Sequence, residues 1–219
     1  MRALLDLILP RECGGCGVAG TLWCARCATQ LAGPPVAVSP RIDTGVPVWA
    51  VGAHGGARRA AVIAAKERGR RDLARPLGAA LAGAVRQLRA LGELDPPELA
   101  GLTVVPAPTR RRAARARGGD PVLAMVRCAA ERLAPEAVRV ERALSFGAGV
   151  RDSVGLSAHA RVANLAGRVR ATPPVGTVRS DCVVFVDDVL TTGATAAESV
   201  RALAGVGVRV DAVLVIGVA

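Results

Sequence analysis

The chain has 219 residues, which is enough for one ordinary domain with a small appendage and a sizeable buried core. Hydrophobic residues make up 51% of it but aromatic residues only 2%, which argues against nucleic-acid modules that stack bases on aromatic side chains. The formal net charge is +11, and no uncharged stretch reaches the ~18 residues that a membrane-spanning helix needs, so we expect a cytoplasmic protein without membrane insertion.

The N-terminal segment Met1–Pro10 could pass for a short secretory signal. However, Asp6 interrupts its apolar run, Pro10 ends it, and no small-residue cleavage site follows. We therefore predict a short amphipathic helix here, as the start of an N-terminal module over residues 1–33.

Four of the six cysteines form two Cys-x-x-Cys pairs, Cys13 with Cys16 and Cys24 with Cys27. Two such pairs can present four thiolates tetrahedrally to one Zn²⁺, and the glycines among them permit tight turns. Disulfides are the alternative, but they fit poorly with a chain that lacks a secretion signal. We predict a structural zinc site in which all four positions are taken by sulfur, so that none is open for chemistry.

Strand and helix patterns alternate along the rest of the chain. Leu31–Gly45 is rich in proline and small residues and is predicted as a linker, whereas Asp120 followed by Pro121 is typical of a helix start. The alternation implies one α/β domain over residues 34–219, with a mostly parallel sheet covered by helices. The predicted elements are strands over Pro47–Ala53, Leu102–Val105, Val138–Leu144, Cys182–Val186 and Val208–Ile216, helices over 57–68, 71–91, 121–134, 157–167 and 194–204, and a mobile Gly-rich loop over 145–156.

Four side chains with potential chemistry stand apart from any cluster. Cys128 and Cys182 lie in apolar patterns and are expected in the core. His54 and His159 are solitary, and we assign neither a catalytic role.

The positive charge is concentrated in two stretches. Residues 57–75 and residues 107–119 each carry a net charge of +5, which leaves little for the remainder of the chain. Such local patches favour a polyanionic ligand, such as a phosphate ester, pyrophosphate or nucleic acid, although two solvated faces would have the same composition.

The most informative segment runs from Val183 to Thr195. Its apolar half predicts a buried parallel strand that delivers Asp187 and Asp188 to the edge where open α/β sheets bind ligands. Small and hydroxylated residues around Gly193 then lead into a helix, so backbone N–H groups and Thr hydroxyls can hold a phosphate. Two adjacent carboxylates can accept hydrogen bonds from the hydroxyls of a ribose. The alternative is a strand–turn–helix with a merely stabilising Asp pair.

This segment closely resembles the phosphoribosyl-pyrophosphate (PRPP) signature of type I phosphoribosyltransferases, a hydrophobic strand followed by Asp-Asp and Thr-Thr-Gly-x-Thr. The resemblance implies that Asp187 and Asp188 are the catalytic pair that holds the ribose hydroxyls. It also implies that the 5′-phosphate is bound by Thr191, Thr192, Gly193, Ala194 and Thr195.

A Cys₄ module ahead of such a domain, with Lys66-Glu67-Arg68-Gly69 and Val105–Arg112, is similar to the ComF (ComFC/GntX) family of competence-associated phosphoribosyltransferase-like proteins. The resemblance implies the type I phosphoribosyltransferase fold, with both basic stretches facing the pyrophosphate. The residues implied to bind this part of the substrate are Pro106, Ala107, Arg110, Arg111, Arg112 and Lys66.

Two functions follow from these resemblances. The first is a phosphoribosyltransferase that uses PRPP and Mg²⁺ and displaces pyrophosphate from C1 of the ribose; the residues do not specify the acceptor. The second is a non-catalytic protein that binds PRPP or single-stranded DNA and assists DNA uptake beside a competence helicase.

Overall fold

The computed structural model describes residues 11–110, 114–115, 118–147, 167–173 and 181–219. Over these residues the chain forms a mostly parallel six-stranded sheet flanked by helices, which confirms the predicted mixed α/β class. The helix predicted before Pro10 and residues 157–166 of the helix predicted over 157–167 lie outside the described residues. In the described part of the chain, none of the helices has the length and hydropathy that crossing a bilayer requires.

The helices and strands lie close to the predicted positions in most of the chain. The helices are α1 (Ala25–Leu31), α2 (Gly56–Glu67), α3 (Ala74–Ala90), which follows a 3₁₀ turn (Arg71–Leu73), α4 (Pro121–Leu133) and α5 (Ala194–Ala204). The strands are β1 (Val36–Ala37), β2 (Val48–Ala50), β3 (Leu102–Pro106), β4 (Val138–Val140), β5 (Leu144–Phe146), β6 (Val169–Ala171), β7 (Cys182–Leu190) and β8 (Ala212–Val218).

The strand order of the main sheet is β1-β2-β8-β7-β3-β4, and every neighbouring pair is parallel except β1 with β2. From β3 the chain crosses through α4 to β4, toward one edge of the sheet. From β7 it crosses through α5 to β8, toward the other edge. The loops that leave β3 and β7 therefore diverge. In open α/β sheets, such a divergence between neighbouring strands creates the crevice in which ligands bind.

β7 extends beyond its neighbour β3. The two strands pair from Leu102 with Cys182 to Pro106 with Val186, and the Ala107 N–H then donates to the Val186 carbonyl at 2.7 Å. The prediction ended the strand at Val186, but β7 continues to Leu190 because β8 still supplies a hydrogen-bonding partner. The part of β7 that β3 leaves uncovered begins with the acidic pair.

Two predicted strands are placed differently in the structure. The stretch Val138–Leu144 is divided between β4 and β5, and β5 pairs with β6 in a separate two-stranded antiparallel sheet. The predicted loop over 145–156 is therefore wrong for its first two residues, which belong to β5. The last strand starts at Ala212 rather than Val208. Val208 is buried just before this strand but is not part of it.

The cysteine-rich segment packs on the same hydrophobic core as the sheet. Cys13 and Cys27 are 3% and 1% exposed and belong to that core. Gly14 approaches the 3₁₀ turn so closely that a Cβ there would lie 2.5 Å from Leu73 Cδ2. The division of the chain into 1–33 and 34–219 stays a prediction. The structure shows that residues on both sides of this boundary share one core.

Candidate functional site

A cavity of about 450 Å³ opens at the carboxyl ends of β3 and β7. Its walls come from the loop after β3, from the end of β7 with the start of α5, and from the last turn of α2. Most of the predicted site residues line it: Lys66, Ala107, Arg110, Asp187, Asp188, Thr191, Thr192, Gly193, Ala194 and Thr195. Pro106 is buried as the last residue of β3 and does not line the cavity, and Arg111 and Arg112 lie outside the described residues.

The acidic pair is held in place by main-chain hydrogen bonds. Asp187 Oδ1 accepts from the Asp188 N–H, and Asp188 Oδ1 accepts from the Val189 N–H, both at 2.8 Å. Burial, and after it the neighbouring charge of Asp188, raises the pKa of Asp187 to about 7. Adjacent carboxylates with little exposure are costly unless something binds them. The acidic pair is therefore a candidate ligand site on the cavity wall.

A lysine from a distant part of the sequence pairs with this acidic pair. Lys66, in the last turn of α2, places its Nζ 2.8 Å from Asp188 Oδ2. The Lys66 side chain is 41% exposed, whereas the Asp188 side chain is only 11% exposed, so the cation is the more accessible partner of the pair. The structure thus brings together two predicted site residues that are far apart in the chain.

The loop after the acidic pair forms a tight turn into α5. Gly193 precedes the helix with a φ of +90°, a conformation that favours glycine. Thr192 is buried, and its Oγ1 accepts from the Ala194 N–H at 3.3 Å. The amino end of the helix therefore faces the cavity next to hydroxyl groups, which is an arrangement suited to an anion such as phosphate.

A segment that was predicted as a linker supports this loop. Ile42 donates its N–H to the Thr192 carbonyl at 2.9 Å. A Cβ on Gly193 would lie 2.8 Å from the Ile42 carbonyl oxygen and 2.9 Å from Pro40 Cβ. Residues 40–42 thus hold the loop from outside, a contact that local sequence patterns do not indicate.

His54 also lines the cavity, although no sequence pattern predicted it there. Its imidazole packs beside Gly217 of β8, where an added Cβ would lie 3.0 Å from His54 Nδ1. Nδ1 is buried and has no hydrogen-bond partner among the described residues. Burial lowers the pKa of His54, and the charge of Arg59 adds to this effect, so the neutral ring is favoured at the edge of the site.

Part of the cavity lining is apolar. Val62 and Ile63 of α2, Val122 of α4 and Phe146 of β5 all line it. The cavity therefore combines an acidic and anion-binding end with a wall suited to a flat or apolar group.

The first basic stretch, residues 57–75, faces the cavity only in part. Arg58 donates to the carbonyls of Ala53 at 2.8 Å and Gln30 at 2.9 Å, and burial lowers its pKa. Arg70 donates to Asp72 and to the Glu12 carbonyl, at 2.7 and 3.0 Å. The expectation that the whole stretch faces pyrophosphate is therefore wrong for these two arginines, which bind the protein itself and do not line the cavity.

The four clustered cysteines form a second candidate site. Their sulfur atoms all lie within 4.8 Å of one another, and Cys16 Sγ is 3.6 Å from Cys24 Sγ. A tetrahedral zinc with Zn–S bonds of about 2.3 Å would separate its sulfurs by about 3.8 Å. All six cysteines are free, so the disulfide alternative is not seen. The cluster can hold a metal ion such as zinc.

The surroundings of this cluster favour thiolates at two of the four positions. Burial opposes ionisation of Cys13, but N–H groups of Cys16, Cys24 and Gly15 outweigh it and lower the pKa of Cys13 to about 6. The Val18 N–H and the Arg26 guanidinium lower the pKa of Cys16. Burial beside the other thiols instead raises the pKa of Cys27. Because only a cation can stabilise four close thiolates together, the donor set fits a bound metal.

No protein-family model matches the chain, and no curated protein is significantly similar to it in sequence.

Proposed function

We propose that the cavity is a PRPP site and that the protein recognises or transfers the 5-phosphoribosyl group. The observation that supports this most is the convergence of three groups on one cavity: an acidic pair, a Thr-Gly loop at the start of a helix, and the cations of Lys66 and Arg110. Its volume of about 450 Å³ falls in the range of about 300–1,000 Å³ that is typical of small-molecule sites.

In this assignment each part of the substrate has a counterpart in the cavity. The 5′-phosphate accepts hydrogen bonds from the loop over Thr191–Thr195 at the start of α5. The ribose hydroxyls donate to the carboxylates of Asp187 and Asp188, which keep lone pairs available beside their main-chain donors. The pyrophosphate extends toward Arg110, whose guanidinium can meet phosphate oxygens in bidentate fashion.

The same geometry supports a group-transfer reaction. The C1–O bond to pyrophosphate breaks, its electron pair leaves with the pyrophosphate, and a nucleophile forms the new bond to C1. The positive charge that develops on the sugar is stabilised by the acidic pair. The apolar wall with Phe146 is where a flat acceptor would lie. These assignments correspond to the type I phosphoribosyltransferase fold and to the resemblance to the ComF family.

The cysteine cluster has a structural role in this proposal. Cys13, Cys16, Cys24 and Cys27 would hold Zn²⁺ with four sulfur ligands, which leaves no position for substrate. The metal would supply folding free energy to a segment that packs against α2. Gly15 shows this packing, because a Cβ there would lie 3.0 Å from Ala57 Cβ.

Calorimetric titration with PRPP tests the site. The variant Asp187→Asn with Asp188→Asn keeps the side-chain size and removes the charge, so affinity should fall by ~1.5–3 kcal/mol, or at least about tenfold. The matched control is Glu93→Gln with Glu98→Gln, which removes two exposed carboxylates from the loop that leads to the amino end of β3. Affinity equal to wild type in a correctly folded double variant would contradict the proposal.

A further inference from the structure

The carboxylates of the proposed PRPP site are already engaged by the protein. Asp188 Oδ2 pairs with Lys66 Nζ at 2.8 Å, and Asp188 Oδ1 accepts from the Val189 N–H. Asp187 Oδ1 accepts from the Asp188 N–H. Among the described residues, at least three of the four carboxylate oxygens therefore have a donor from this chain.

This arrangement does not fit the Mg²⁺ that the resemblance implies. Mg²⁺ needs a near-octahedral set of oxygens and is usually held by one or two carboxylates together with substrate phosphates. Here, a Mg²⁺ on Asp188 Oδ2 would place a second cation on an oxygen that already binds an ammonium group.

We propose that Lys66 is the resident cation of this site and replaces Mg²⁺ in binding PRPP. The ammonium group lies on the cavity wall beside Asp188, where it can contact the ribose and its diphosphate together. Its place at the end of α2 is fixed by the fold, because the Arg68 and Arg70 N–H groups both bond to the Ala64 carbonyl and close the helix. The inference rests on the proposed function, since it concerns the same ligand.

The test is calorimetric titration of the full-length protein with the sodium salt of PRPP, in buffer depleted of divalent ions on a chelating resin. A soluble chelator is avoided because it would remove metal from the cysteine cluster. We expect wild type to bind PRPP with an affinity within about threefold of that measured with 5 mM added Mg²⁺. Lys66→Met should lose at least about tenfold in the metal-depleted buffer and regain affinity when Mg²⁺ is added.

Two further variants control for charge and folding. Lys66→Arg keeps the positive charge and should bind without added metal. Arg209→Met removes an exposed cation before β8, outside the cavity lining, and should behave as wild type. Melting curves of all variants check that each is folded.

The outcomes separate this inference from the proposed function. If wild type needs added Mg²⁺ as much as Lys66→Met does, or if Lys66→Met binds without metal as well as wild type, the role of Lys66 is refuted and the PRPP site stands. If wild type fails to bind PRPP with or without Mg²⁺, the proposed function itself is refuted.

Discussion

Asp187→Asn offers a test of the site that needs no ligand. The raised pKa of Asp187 means that the folded protein holds this proton more tightly than the unfolded chain does. Wild type therefore loses stability as pH rises from about 4 to about 7, the window between the unfolded and folded pKa values. Asparagine keeps the oxygen that accepts from the Asp188 N–H but does not ionise, so the variant lacks this loss.

The size of the effect follows from the pKa. One pKa unit corresponds to about 1.4 kcal/mol, and about two units of the window lie between pH 5 and the folded pKa of about 7. The stability of Asp187→Asn relative to wild type should therefore rise by about 2–3 kcal/mol from pH 5 to pH 8. In a chain of this size that corresponds to roughly 5–10 °C in melting temperature.

The measurement is urea unfolding of both proteins at pH 5, 6.5 and 8. The difference between the two free energies of unfolding is compared at each pH. This difference cancels the titration of groups that the two proteins share, including the cysteines. Glu93→Gln, which removes one exposed carboxylate, is the control for loss of a surface charge. A difference between Asp187→Asn and wild type that stays constant from pH 5 to pH 8 would refute the reasoning.

The remaining predictions concern the loop, the histidine and the cysteine cluster. Gly193→Ala should lower stability by ~1–3 kcal/mol and weaken PRPP binding, because residue 193 has a positive φ and an added Cβ would clash with the main chain. The matched control in melting and titration experiments is Gly119→Ala, whose Cβ would meet nothing within 4 Å. Gly217→Ala should displace His54 and lower the melting temperature, and combining it with His54→Ala should restore part of the loss; no restoration would show that the two residues are not in contact. Cys24→Ser should reduce the zinc measured by elemental analysis from about one per chain to near zero and lower the unfolding midpoint, and retention of zinc would contradict the four-sulfur site.

Local sequence patterns predicted the helices and strands whose bounds are determined by residues within or next to them. The helix after Gly193 has the predicted bounds because small helix-forming residues follow a glycine. The helix after Asp120 begins as predicted, since Asp120 accepts from the Leu123 N–H at 3.1 Å. The acidic pair in β7 was recognisable because it follows an apolar run and precedes a Thr-Gly turn into a helix.

The features that the sequence did not reveal depend on contacts between distant residues. His54 reaches the cavity because Gly217, far away in the chain, leaves room for its ring. Residues 40–42 support the loop before α5 through main-chain contacts, which a Pro-rich composition does not encode. The pattern from Val138 to Phe146 suits a strand, but it does not specify that two halves pair in different sheets.

Counting basic residues has the same limit, because a count does not show which of them bind other parts of the protein. Counting arginines identified a positive stretch, yet Arg58 and Arg70 are engaged with carbonyls and Asp72. Lys66, in the same stretch, is the one that the fold directs to Asp188. Net charge therefore located the basic residues in the sequence, while tertiary contacts decide which of them line the cavity.

A crystal structure of the protein soaked with PRPP tests the central claim most directly. The account predicts density for the 5′-phosphate at the loop over Thr191–Thr195, with the ribose hydroxyls within hydrogen-bond distance of Asp187 and Asp188. Density for PRPP on another surface, with this cavity occupied by water alone, would contradict it.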